Sequence, residues 1–113
     1  MGVFLVLSTA SSEKEGKRIA RHLVKEGLAA CVNVIPRISS VFFWGGKICE
    51  EKEVLILAKT GTGKGKMNEI IRNIRAIHSY SLPEILCLKV TGGDVEYLQW
   101  VGTATGKKNK KNY

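Results

Sequence analysis

Several side chains able to hold a small ligand fall where strand and turn signals bring them toward one junction. They are Trp44 before a Gly-Gly pair, Lys59 late in the following apolar run, Tyr80 beside His78, Glu84 after Pro83, and Trp100 near the carboxyl end. A few convergent polar groups on an apolar wall make a concave binding site. The same aromatic residues also serve as anchors of a subunit interface, where Trp and Tyr are enriched, and that is the simpler reading. Lys59 with neighbouring loop amides is the group that would receive a small anionic metabolite. The chain has two imidazoles. His78 ends a predicted helix, where its charge complements the helix dipole, and a neutral imidazole is also a good ligand for copper or zinc. His22 lies opposite the apolar stripe of its own helix and reads as solvated surface.

Catalytic constellations are poorly represented. No Ser/His/Asp ordering or Cys-His pairing stands out, so the chain reads as a non-enzyme. The 61–66 stretch GTGKGK resembles a phosphate loop only superficially: its glycine spacing is one short, and Met67 stands where Ser or Thr would bind magnesium. Cys31, Cys49 and Cys87 are odd in number and lack C-x-x-C spacing. They read as buried, reduced thiols, which fits a reducing cytosol better than a disulfide or zinc framework.

The 113 residues allow one domain, with 44% apolar residues to form its core. The formal charge of +8 suggests nucleic acid until its distribution is read. Four of those charges are Lys107, Lys108, Lys110 and Lys111 in a Gly- and Asn-containing tail, which leaves +4 on the body. Residues 105–113 are therefore expected to be a disordered basic tail on a 1–104 domain. The amino-terminal apolar run is too short to span a membrane and has no basic residue before it, so a cytoplasmic protein is expected.

The elements that must position the candidate residues are legible from periodicity. Val3 to Leu7 is an apolar run of buried-strand length. Ser12 and Glu15 have capping-box spacing, and Ile19, Ala20, Leu23 and Val24 form the stripe of a first helix that stops near Gly27. The β-rich run from Leu28 to Thr60 is broken only by Pro36 and by Gly45-Gly46, which predicts a long hairpin with Pro36 at an edge or bulge. Met67, Ile70, Ile71, Ile74 and Ile77 define a second helix. Glu84 to Val90 reads as a fourth strand, and Asp94 caps a short last helix containing Tyr97, Leu98, Trp100 and Val101.

The order βαββαβ plus a short helix is that of the α+β ferredoxin-like fold, an antiparallel sheet with both helices on one face. Its other face has no cover of its own, and so long a ribbon leaves strand edges open to pairing with other chains. Both features predict an assembly. RNA-recognition motifs share this strand order but stack bases on aromatics of the central strands. Here ICEEKEVLILAK offers carboxylates and aliphatic residues, so nucleic acid is not the expected partner.

The segments LAACVNVIPRISSVFFWGGKI, EEKEVLILAKT, IHSYSLPEILCLKV and YLQWV, in this order, resemble the CutA family of divalent-cation tolerance proteins. The resemblance runs from the first strand to Val101. It implies a homotrimer of ferredoxin-like subunits joined by strand pairing, a fold shared with the nitrogen-regulatory PII proteins, and an association with copper or another divalent cation. His78 matches the family's His-Pro-Tyr segment and becomes the candidate metal ligand. Ser8 stands where some members have Cys, and Ile77 precedes His78, so any copper is expected to be held weakly. Ser79 replaces the family's usual Pro, and with Ser81 it is expected to leave the turn before Pro83 less rigid. The function implied is a trimeric metal-binding or regulatory module; the alternative is a PII-like trimer taking an anionic metabolite between subunits.

Overall fold

A computed structural model of the chain describes residues 2–61, 63 and 66–106. The elements run β1 (Val3–Ala10), α1 (Glu13–Lys25), β2 (Cys31–Trp44), β3 (Lys47–Gly61), α2 (Lys66–Ile77), β4 (Ile85–Val90) and α3 (Val95–Ala104). The four strands form one sheet in the order β2-β3-β1-β4, and every neighbouring pair is antiparallel. This is the expected α+β ferredoxin-like arrangement. The 107–113 part of the expected disordered tail lies outside the described residues.

Strand alternation sorts the sheet into two faces. Phe4, Val6 and Ala10 of β1 stand in register with Thr60, Ala58 and Val54 of β3 and pack under the helices, against Ile19 and Leu23 of α1 and Ile70 and Ile74 of α2. These helix side chains are fully buried. Each contributes about 1.5–3 kcal/mol relative to exposure. Gly16 lets α1 settle close to the strands: a Cβ there would lie 2.9 Å from a methyl of Val54 and 3.1 Å from one of Val34. The opposite face carries Leu5, Leu7, Leu55 and Leu57, half buried, with Leu86 and Leu88 of β4 more exposed.

The helix caps follow the local sequence. Ser12 accepts the Glu15 amide at 3.1 Å, and Asp94 accepts the Tyr97 amide at 2.9 Å. Glu15, however, does not close a capping box on Ser12. Its carboxylate takes the amide and hydroxyl of Ser11, one residue further back.

The β2–β3 ribbon outruns the sheet. β1 pairs with β3 only from Val54 onward, so Ile38–Trp44 and Lys47–Glu53 form a two-stranded arm with no third strand. The arm turns at Gly45 and Gly46, whose φ values of 61° and 77° match a type I′ turn. Its register shifts between Ile35 and Ile38, so Pro36 sits in a bulge, where its missing amide hydrogen breaks no ladder bond. On one side of this arm Val41, Phe43 and Ile48 are 64%, 72% and 77% exposed.

Candidate functional site

The arm, the end of β1 and the 80–84 connection into β4 enclose a cleft of about 840 Å³. Ser40, Phe42 and Trp44 of β2 face it from positions opposite Glu51, Cys49 and Lys47 of β3. Glu53 enters it two residues further along the same face as Glu51. Tyr80 and Glu84 close the other side. Three carboxylates, Glu51, Glu53 and Glu84, line the cleft against one cation, Lys52.

Glu53 and Tyr80 couple the two walls. The phenol donates to a Glu53 carboxylate oxygen at 2.7 Å. Burial, then that accepting carboxylate and the charges of Glu15 and Glu51, push the Tyr80 hydroxyl well above its ordinary range, so it remains a donor. Glu53 is only 9% exposed, and no lysine or arginine pairs with it among the described residues.

Behind Tyr80 the connection is pinned to α1. Ser79 donates its amide to Glu15 at 2.8 Å, a bond that proline at this position could not make. The expected loss of rigidity at Ser79 is therefore offset by a tether. Burial would raise the Glu15 pKa, but the donors of Ser79 and Ser11 together outweigh it and hold the carboxyl at about 2. Arg18 adds a partly exposed ion pair at 3.6 Å.

His78 belongs to this support. Its side chain is fully buried, its Nδ1 accepts the Tyr80 amide at 3.0 Å, and its Nε2 donates to the Thr9 carbonyl at 2.6 Å. This bonding assigns the neutral Nε2–H tautomer. As bonded in the single subunit, neither nitrogen offers a free lone pair, and the imidazole expected as a metal ligand braces the connection to β1. Ser8, the other position weighed for metal, is buried in the helix-side core with its hydroxyl unpartnered among the described residues.

Of the other candidates, Trp44, Tyr80 and Glu84 meet in the cleft. Lys59 does not. It lies on the sheet face away from α1 and α2, at the end where α3 packs against β3, donating to the Asn33 side chain and standing 3.8 Å from the Cys31 sulfur. Trp100 is on α3, its ring 5.6 Å from that of Tyr97. His22 is half buried and bonds Asn73 of α2 at 2.9 Å, so it is a helix-to-helix contact and not solvated surface. The three cysteines are free thiols but half buried, where full burial was expected. Sequence reasoning missed Glu51 and Glu53. The signal was present: Glu50-Glu51-Lys52-Glu53 interrupts the apolar pattern of β3 with two carboxylates on one strand face.

Residues 4–104 match the family model described as CutA1 divalent ion tolerance protein. The chain belongs to the CutA family. A CutA relative from Thermus thermophilus, a divalent-cation tolerance protein, is 40% identical over 90% of this chain and 97% of its own length. Human Protein CutA is 42% identical over 86% of this chain, which spans 53% of the human protein. The solved structure of the Thermus thermophilus protein superposes with a TM-score of 0.87 at 39% identity, covering 92% of this chain and 99% of the other. That of CutA1 from Oryza sativa gives 0.87 at 34% identity, covering 93% and 94%. Curated CutA relatives include a chloroplastic protein, and a solved one from Archaeoglobus fulgidus is described as periplasmic. In this chain no described helix is long and apolar enough to cross a membrane.

The family's name raises the question of a metal. Among the described residues no group of three or more His, Cys, Asp or Glu side chains is arranged to hold a metal ion. With both His78 nitrogens engaged, the single subunit does not fit a tightly held copper.

Proposed function

We propose that this CutA-family chain is a homotrimeric, non-catalytic binding module that gathers cations in the cleft beneath the β2–β3 arm. Divalent cations are attracted there weakly and through water, by Glu51, Glu53 and Glu84. The observation that carries the reading is Glu53: a nine-tenths-buried carboxylate, bonded by the Tyr80 hydroxyl and lacking a cationic partner among the described residues. Buried charges are costly unless paired, so the site favours a cation from outside the subunit. The assembly is supported by the exposed apolar side of the arm and by Leu86 and Leu88, exposed on the sheet face away from α1 and α2. The names of the relatives, which speak of divalent-cation tolerance, agree with a cation as the ligand. The PII-like alternative draws no support from the cleft, because its charge is negative and Lys59 is not in its lining.

Titration calorimetry with copper, zinc and magnesium chlorides, and with nucleotides as anionic controls, tests this. Weak, salt-sensitive heats from the cations with none from nucleotides are expected. Nucleotide heats without any cation response would overturn the reading in favour of the PII-like one.

A further inference from the structure

The cleft differs from a site for a bare dication in three respects. The carboxylates of Glu51 and Glu53 project from alternate residues of one strand, whose Cα atoms are about 7 Å apart. Hard dications require oxygen ligands converging to about 2.0–2.6 Å, and no such group of residues is found among the described residues. The lining beside the carboxylates is aromatic: Tyr80 meets Glu53, while Phe42 and Trp44 follow on from Ser40, the residue opposite Glu51, toward the tip of the arm. Aromatic faces attract organic ammonium ions within about 6 Å of the ring, and they shelter alkyl chains that a metal aqua ion lacks.

We infer that the cleft takes a linear aliphatic polyammonium ion, with one ammonium on the buried carboxylate of Glu53 beside Tyr80, a second at Glu51, and the chain continuing past Glu51 against Phe42 and Trp44 toward the tip of the arm. This rests on the cation-binding reading above and specifies the ligand class. At Glu53 an ammonium fits the chemistry better than a water-clad dication. The carboxylate is desolvated, one of its oxygens already accepts the Tyr80 hydroxyl, and an N–H donor gives a short charge-assisted bond to a single acceptor. Glu84, exposed on the far wall of the cleft, offers a third contact.

The test is titration calorimetry of the assembled full-length protein with spermidine and 1,4-diaminobutane at fixed ionic strength, beside magnesium and copper chlorides. Saturable spermidine binding at one site per subunit is expected. Affinity should fall by about tenfold or more in Glu53→Gln, which keeps an acceptor for Tyr80 but removes the charge. A smaller fall is expected in Glu51→Gln and Trp44→Leu, both exposed positions where folding is not at stake, and none in Glu13→Gln on α1. If divalent cations bind but spermidine does not, the polyammonium inference fails while the cation reading stands. If neither binds, both fail. Spermidine affinity unchanged in both Glu53→Gln and Glu51→Gln would place the ligand elsewhere. If spermidine gives no heat and Glu53→Gln weakens the assembly in sedimentation, the counter-charge comes from a second copy and the inference is overturned.

Discussion

Glu15 of α1 accepts the Ser79 amide at 2.8 Å across 64 residues of chain, so the first helix holds the wall of the cleft in place. The bond gives the fold an acid-sensitive element. Glu15 has a folded pKa of about 2 against an ordinary 4.5. A group with a depressed folded pKa stabilises above its unfolded value, and the contribution is lost as pH falls through the folded one. Its contribution of roughly 3 kcal/mol should therefore be complete near neutrality and disappear between about pH 5 and 2. Urea unfolding of Glu15→Gln should show a loss of that order at pH 7 that closes toward pH 2. A pH-independent difference would contradict the tether.

His78→Ala separates support from ligation. The substitution removes two buried hydrogen bonds and an aromatic contact with Tyr80 at 4.7 Å, so stability should fall by about 2–4 kcal/mol. Any weak copper affinity should stay within about twofold in calorimetry at a temperature where the variant is folded. A larger loss of copper binding would restore His78 as a ligand.

Gly16→Ala probes the approach of α1 to the sheet. The added methyl meets Val54 at 2.9 Å and Val34 at 3.1 Å, both β-branched strand side chains with little freedom to yield. A cost of about 1–3 kcal/mol is expected in place of the gain Ala usually brings to a helix. Thermal unfolding of the variant at or above the parent midpoint would show that the helix can lift without cost.

At the tip of the arm, Gly46→Val tests torsion alone, since nothing lies within 4 Å of the added atom and φ is 77°. The left-handed backbone should cost about 1–2 kcal/mol. Chemical denaturation resolves a loss of this size, and Gly46→Asn, a residue tolerated there, should restore most of it.

The assembly should reveal itself in concentration-dependent melting. Phe43→Ser and Ile48→Asp change residues 72% and 77% exposed in the single subunit, so neither should disturb its core. Both should lower the assembled fraction in sedimentation. A parent protein that sediments as a folded monomer at micromolar concentration, with a melting point independent of dilution, would rule out the trimer.

Local pattern by itself determined the order of elements, the Ser12 and Asp94 caps, the Gly45-Gly46 turn and the placement of Pro36 in an irregularity. Each depends on residues within a few positions of one another, where periodicity and backbone preference act directly. The same pattern placed Trp44, Tyr80 and Glu84 near one junction, because they flank the ends of the elements that meet there. Tertiary structure decided the rest. Lys59 and Glu53 lie on the same strand and the same face, yet only Glu53 lines the cleft, since β1 ends its pairing at Val54 and leaves the arm open beyond that point. Whether an imidazole is a ligand or a brace depends on what its two nitrogens meet, and for His78 those partners are the Thr9 carbonyl, 69 residues away in sequence, and the adjoining Tyr80 amide. Glu15 showed its capping spacing in the sequence, but its role as a tether appears only once the fold brings Ser79 to it. Burial, and with it charge state and hydrogen-bond demand, is set by the partners that sheet order and register supply, and residue spacing along the chain does not encode them.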